Sequence, residues 1–269
     1  MFKSKNKLMT FIILCFIFYL CSNLTIREYF NANSKLNYPI YWINLDRSKE
    51  RKEYMTKNFK KYKVNNYRFS AINGYNLKKY PHIKFTKKQK EVYESGELGC
   101  VSSHINLIIE LYKHGVNEAI IMEDDISINT LPKMKYKIKD IANNAPKDWE
   151  VLQLHTSNHK LIKEYLSNSI LYVRSGDKLY GTCSYLINRK GMKKLYDICY
   201  KKGNIVFPDE DIIADHFIYN TCITYYFTKP LFIHLAGKST THMDTKFEKG
   251  HAVSKAYLLD YFKMKDTDL

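Results

Sequence analysis

The segment Ala119-Ile120-Ile121-Met122-Glu123-Asp124-Asp125 drives an apolar run straight into three consecutive carboxylates. If extended geometry continues, Glu123 and Asp125 project to the same side, because strand side chains alternate. Two converging carboxylates suit a hard cation, Mn2+ or Mg2+, which binds through one or two such groups together with substrate phosphates. Such an ion would neutralise a leaving diphosphate. A helix cap or an exposed acidic turn is the alternative. A second cluster, Pro208-Asp209-Glu210-Asp211 with Asp215, places Asp211 and Asp215 one helical turn apart on a shared face. Residues 209–211 can instead complement a helix N-terminus, whereas Asp215 lies past the first turn and beside a like charge. His104 follows Ser102 and Ser103 at an expected helix start, where a ring nitrogen could reach phosphate or sugar beside free backbone N–H groups. A satisfied structural histidine is the competing reading.

The elements that must carry these groups alternate between strand and helix. Residues 38–45 (YPIYWINL) form a continuous apolar and aromatic run, as in a strand buried on both faces of a parallel sheet. Asp46 can then N-cap a charged helix to about residue 62. A second strand is expected over 66–71 with Asn73-Gly74 as its turn, and Thr86 with Gln89 has capping-box spacing. Ser102 or Ser103 is expected to open a helix with Ile105, Ile108, Ile109 and Tyr112 on its apolar side, stopping at Gly115. Strands follow at 118–122, 149–154 and 223–227, with helices near 190–202 and 211–220. This order implies an α/β sheet, and such sheets bind ligands beyond the carboxyl ends of their strands.

Composition narrows the partners. Hydrophobic residues make up 45% of the 269, enough for a packed core, and 43 Lys and Arg against 27 Asp and Glu give a formal charge of +16. That balance favours anionic partners, but the basic residues are spread and follow no zinc-finger, KH or RRM signature, so no nucleic-acid partner is expected. No pair among Cys100, Cys183, Cys199 and Cys222 has metal-ligand or CxxC spacing, and four free thiols fit as well as two disulfides. The 19 uncharged residues 8–26 would span about 28 Å as a helix. Lys3, Lys5 and Lys7 precede them, while Arg27 and Glu28 cancel after them. By the positive-inside rule this is a type II single-pass membrane anchor, with a cytosolic tail at 1–7, a stem at 27–37 and a catalytic domain at 38–269 on the non-cytosolic side. The rival is a cleaved signal peptide, for which no A-x-A-like site follows.

Several segments, in order, resemble glycosyltransferase family 25, which includes lipooligosaccharide and collagen galactosyltransferases. They are Ile43-Asn44-Leu45-Asp46-Arg47 with Glu50-Arg51, Phe69-Ser70-Ala71-Ile72-Asn73-Gly74, Gly96-Glu97-Leu98-Gly99-Cys100 with Ser103-His104, Met122-Glu123-Asp124-Asp125, Trp149-Glu150-Val151-Leu152, and Gly181-Thr182-Cys183-Ser184-Tyr185-Leu186-Ile187. The resemblance implies a single GT-A-like α/β domain with a mixed, mostly parallel sheet. It also implies a UDP-sugar donor (UDP-galactose or UDP-glucose), a divalent metal, and inverting transfer to a hydroxyl on a glycan, glycoprotein or collagen-like acceptor. Donor contacts would then fall to Ile43, Asn44, Leu45, Arg47, Arg51, Asn73, Gly74, Ser103, His104 and Asp124. Asn73 departs from the family's usual Asp, so a ribose or uracil contact can differ. The metal ligands would be Glu123, Asp125 and a C-terminal histidine, His234 ahead of His242. Inversion needs a separate carboxylate base, Asp211 or Asp215. A metal-dependent phosphohydrolase or nuclease and a non-catalytic UDP- or sugar-binding module are the rival functions.

Overall fold

The computed structural model describes residues 35–176, 181–209, 211–235 and 245–269. The proposed anchor at 8–26 lies outside the described residues. Among those described, no helix is long and apolar enough to cross a membrane. Residues 35 and 36, assigned by sequence to the stem, already belong to the folded domain. Leu36 is buried, and the Lys35 carbonyl accepts from the backbone of Ile138 at 2.9 Å.

Seven strands form the central sheet. They are β1 (Ile40–Asn44), β2 (Asn66–Ser70), β4 (Glu118–Glu123), β6 (Val151–Gln153), β7 (Tyr172–Arg174), β8 (Ser184–Asn188) and β11 (Thr224–Phe227), in the order β2-β1-β4-β8-β6-β11-β7. β2, β1 and β4 run parallel, and so do β6 and β11; β8 is antiparallel to both of its neighbours, and β7 is antiparallel to β11. Short strands β3 (Ile83–Lys84), β9 (Tyr200–Lys201) and β10 (Asn204–Val206) make a second sheet, and β5 (Ile126–Ser127) pairs with β12 (Ile233–His234).

The period of two along the central strands divides the core. Ile43, Ile121, Tyr185 and Ile187 face a cluster that contains Ile105 and Ile108 of α3 (Ser95–Lys113) and Leu195 of α6 (Arg189–Cys199). Trp42, Ile120, Met122 and Leu186 face the opposite cluster, which holds Met55 and Phe59 of α1 (Lys49–Lys61) and Ile138 and Ile141 of α4 (Ile138–Asn144). Apolar burial on both faces is why β1 and β4 read as continuous hydrophobic runs. The remaining helices are α2 (Lys87–Val92), α5 (His159–Leu166), α7 (Ala214–Thr221) and α8 (Thr245–Phe262).

Several boundaries differ from the sequence reading, each for a local reason. α1 starts after Ser48 rather than at Asp46, because the Asp46 carboxylate binds Arg68 and Ser70 on β2. The capping box at Thr86 and Gln89 forms as expected. α3 begins at Ser95, two turns before the expected start, where the Glu97 carboxylate accepts from the Glu94 N–H at 2.8 Å; Ser102, Ser103 and His104 therefore sit within the helix. α7 begins at Ala214, which leaves Asp211 outside the helix and removes the shared face with Asp215.

Candidate functional site

The parallel strands β1 and β4 end side by side, and the groups the sequence singled out gather at that edge. Asn44, the last residue of β1, is fully buried and organises the junction. Its amide donates to Asp124 Oδ2 at 2.6 Å and to the Ser48 carbonyl, while its Oδ1 accepts from Arg68 Nε at 2.8 Å. Arg51, on the first turn of α1, donates to Asp124 Oδ1 at 2.9 Å and lies 3.8 Å from Asp125. Asp124 thus ties β1, α1 and β4 together. Burial opposes the charge on Arg51, but Asp125, Asp124 and Glu123 outweigh it and raise its pKa.

Beyond β4, residues 124 and 125 form a turn, so Glu123 and Asp125 do not share a side through extended geometry. They converge nonetheless, because the turn folds Asp125 back and its carbonyl is pinned by the Leu235 N–H at 2.6 Å. Glu123 Oε1 accepts from the Thr182 hydroxyl at 2.5 Å and lies 3.5 Å from His104 Nε2. Burial alone would raise the Glu123 carboxyl, but His104, Thr182 and Arg51 hold it below the usual carboxylate range. Asp125 is pushed up to about 7, first by burial and then by the negative Glu123 beside it, against the pull of Arg51. Its Oδ1 is buried with no hydrogen-bond partner. Among the described residues, two sets place one ligand atom each within 4.8 Å of one another: Glu123, Asp125 and Cys183; and Cys100, His104 and Glu123. A strand end with an unpartnered buried oxygen among converging donors fits a divalent cation.

The opposite wall is the loop after β2, carried on α3. A Cβ on Gly74 would lie 1.6 Å from the Ser95 carbonyl oxygen, and one on Gly99 would lie 2.7 Å from the Gly74 nitrogen. Only glycine at both positions lets loop and helix touch backbone to backbone. Ser103 fastens the same contact, accepting from the Ile72 N–H at 2.8 Å and donating to the Gly99 carbonyl at 2.6 Å. Ser103 thus holds the loop to the helix at the edge of the cleft it lines. Asn73 caps the turn by accepting from the Tyr75 N–H. Ile43, Asn44, Leu45, Arg47, Arg51, Asn73, Gly74, Ser103, His104, Glu123 and Asp124 line one cleft, together with Tyr75, whose ring lies 5.9 Å from the Arg47 guanidinium.

His104 is in the cleft but not at a helix start. It projects from the middle of α3 with Nδ1 2.9 Å from the Tyr185 hydroxyl, so free N–H groups do not accompany it. His234 stands in neither ligand set. Its Nε2 lies 2.8 Å from the His251 carbonyl and its Nδ1 3.1 Å from His155 Nε2, and burial pushes its pKa down to about 4. Both ring nitrogens of a neutral His234 are engaged by the protein. His242 lies outside the described residues.

Asp211 and Asp215 border a second hollow with Ser175, His216 and Tyr219. Asp215 accepts from the Gly181 N–H at 2.7 Å and from its neighbour's N–H at 3.0 Å. Asp211 accepts from the Ile213 N–H and lies 2.7 Å from His216 Nδ1, both side chains reaching solvent. Thr182, Tyr185, Cys100 and Cys183 complete the site without a signal of their own. The segments that contain them carry the resemblance, but only the pairing of β8 with β4 brings residues 182–185 to Glu123. All four thiols of the folded part are free.

Residues 37–218 match the family model described as glycosyltransferase family 25 (LPS biosynthesis protein). Human procollagen galactosyltransferase 2 is 25% identical over 167 residues, covering 58% of this chain and 27% of that protein. A glycosyltransferase 25 family member of Aedes aegypti is 27% identical over 173 residues, covering 59% and 28%. The chain thus aligns with little more than a quarter of the length of these relatives. Mouse xyloside xylosyltransferase 1, solved in its apo form, aligns at 11% identity with a TM-score of 0.32, over 84% of this chain and 81% of that one.

Proposed function

Since the chain belongs to glycosyltransferase family 25, we propose that it transfers a hexose, galactose or glucose, from a UDP-sugar to a hydroxyl on a glycan, glycoprotein or collagen-like acceptor, with inversion. One observation carries this reading. Glu123, which lines the cleft, converges with Asp125 just past the carboxyl end of β4, where one buried Asp125 oxygen is satisfied by no protein group. Galactose is favoured by the names of the relatives. Glu123 and Asp125 would hold Mn2+ or Mg2+, which when bound neutralises charge on the leaving diphosphate. Asp124 keeps Arg51 and Asn44 in place beneath that position. Arg47 and Tyr75, with the guanidinium 5.9 Å from the ring centroid, offer a cation and an aromatic face to the cleft.

The acceptor hydroxyl must attack opposite the leaving group and lose its proton to a separate carboxylate. The hollow with Asp211 and Asp215 supports that role. Asp215 already takes two backbone N–H groups and holds Gly181, next to the Thr182 that binds Glu123. Asp211 reaches solvent beside His216, and the base is assigned to it on that placement. The apolar segment 8–26 would anchor the domain to a membrane, with residues 38–269 on the non-cytosolic side.

The test screens UDP-Gal, UDP-Glc and UDP-GlcNAc for donor hydrolysis and for transfer to sugar and hydroxylysine acceptors, with and without Mn2+. Mn2+-dependent release of UDP from UDP-Gal or UDP-Glc is expected. UDP binding without turnover on any acceptor would make the chain a binding module, and phosphate release from substrates lacking a sugar would make it a phosphohydrolase; either result overturns the proposal.

A further inference from the structure

Cys100 and His104 lie at i and i+4 on α3, one above the other on the face turned to β4. β4 brings Glu123 against them, so that a sulfur, a ring nitrogen and a carboxylate oxygen lie within 4.8 Å of one another. The His104 side chain is 1% exposed, and its Nε2 has no hydrogen-bond partner although Glu123 Oε1 is 3.5 Å away. Across the ring, Nδ1 is 2.9 Å from the Tyr185 hydroxyl, the kind of outer contact that fixes the tautomer and orientation of a ligating imidazole. Cys100 lines the open cleft, which gives an ion a path in.

Oxygen ligands alone suit Mn2+ or Mg2+, whereas sulfur, nitrogen and oxygen together suit a borderline ion that accepts four ligands in tetrahedral array. We propose that Cys100, His104 and Glu123 form a Zn2+ site that overlaps the oxygen site through Glu123. On binding, the Cys100 thiol releases its proton to solvent and the thiolate sulfur donates to the ion, with His104 Nε2 and one Glu123 oxygen as the other protein ligands. The fourth position stays open to the cleft. Glu123 cannot serve both ions in full, so Zn2+ competes with Mn2+ for this edge of the sheet. The site does not depend on the transferase reading, since no sugar or nucleotide takes part in it.

The test titrates the purified full chain with Co2+, whose bond to a thiolate gives a near-ultraviolet charge-transfer band. That band is expected in the wild type, is displaced by Zn2+, disappears in Cys100→Ser, and persists in Cys183→Ser. No band at all, a band that survives Cys100→Ser, or one lost only in Cys183→Ser overturns the proposal. Should Cys100→Ser fail to fold, His104→Gln decides. Zn2+ affinity, read by competition with a chromophoric chelator, is expected to fall roughly tenfold or more, and unchanged affinity overturns the site.

Discussion

Glu123, Asp124 and Asp125 find their partners at residues 44, 51, 104 and 182, far away in the chain, whereas Asp211 finds its own at Ile213 and His216, within five residues. The first group is set by the sheet and the second by a loop. Satisfaction follows the same division. Asp211 has a partner for each oxygen, but Asp125 keeps one buried oxygen with none. A buried carboxylate oxygen left without a hydrogen bond costs stability, and functional sites are where such costs gather.

Asp125→Asn breaks that contrast most sharply. Transfer is expected to fall roughly 10²- to 10³-fold, as for loss of a group that stabilises charge on the leaving side. Stability should move the other way. The Asp125 pKa rises from 3.8 to about 7 in the folded state, so between those values the folded chain holds a proton that the unfolded chain has lost. The Asp125 contribution to metal-free stability is therefore fully present below the window and is lost as pH rises through it. Asp125→Asn should flatten this decline and raise the urea midpoint at about pH 8. A midpoint that falls at that pH would show the carboxylate to be stabilising instead.

Side-by-side measurement of Asp211→Asn and Asp215→Asn sharpens the second region. Asn keeps the shape and loses the basicity, so Asp211→Asn should reduce acceptor-dependent turnover by roughly 10²-fold with UDP affinity retained. In Asp215→Asn the amide oxygen can still accept the Gly181 N–H, and turnover should stay within about tenfold. The reverse order would assign the base to Asp215.

The smallest effect lies in the wall between the regions. Ser103→Ala leaves the buried Ile72 N–H without its acceptor and should cost about 1–3 kcal/mol of unfolding free energy by urea titration. A cost near zero would mean that the loop is held without this bond.

Legibility in the sequence followed the range of the interactions. The runs at 38–45 and 118–122 announced strands, the first as one buried on both faces of a parallel sheet, because apolar burial on two faces leaves a local imprint. The Thr86 box was equally local. Asn44, Arg51 and Asp124 could be named through the resemblance, but not their mutual hydrogen bonds, which need β1 beside β4. The start of α3 was misplaced because Ser102 and Ser103 have the side chains of helix caps, while the actual cap is a pair of glutamates eight residues earlier. Cys100 and His104 have the one-turn spacing of a ligand pair, yet nothing in the chain around them tells that Glu123 will arrive.

The glycine contact between residues 74 and 99 has a thermodynamic consequence for binding. Two backbones in direct contact leave no side chain to rearrange, so this wall of the cleft has few conformations to lose when a ligand arrives. The entropy of ordering it is already lost when the chain folds, and association meets a surface set in advance. On this wall, the free energy of any ligand's contacts passes into affinity without a cost for shaping the loop.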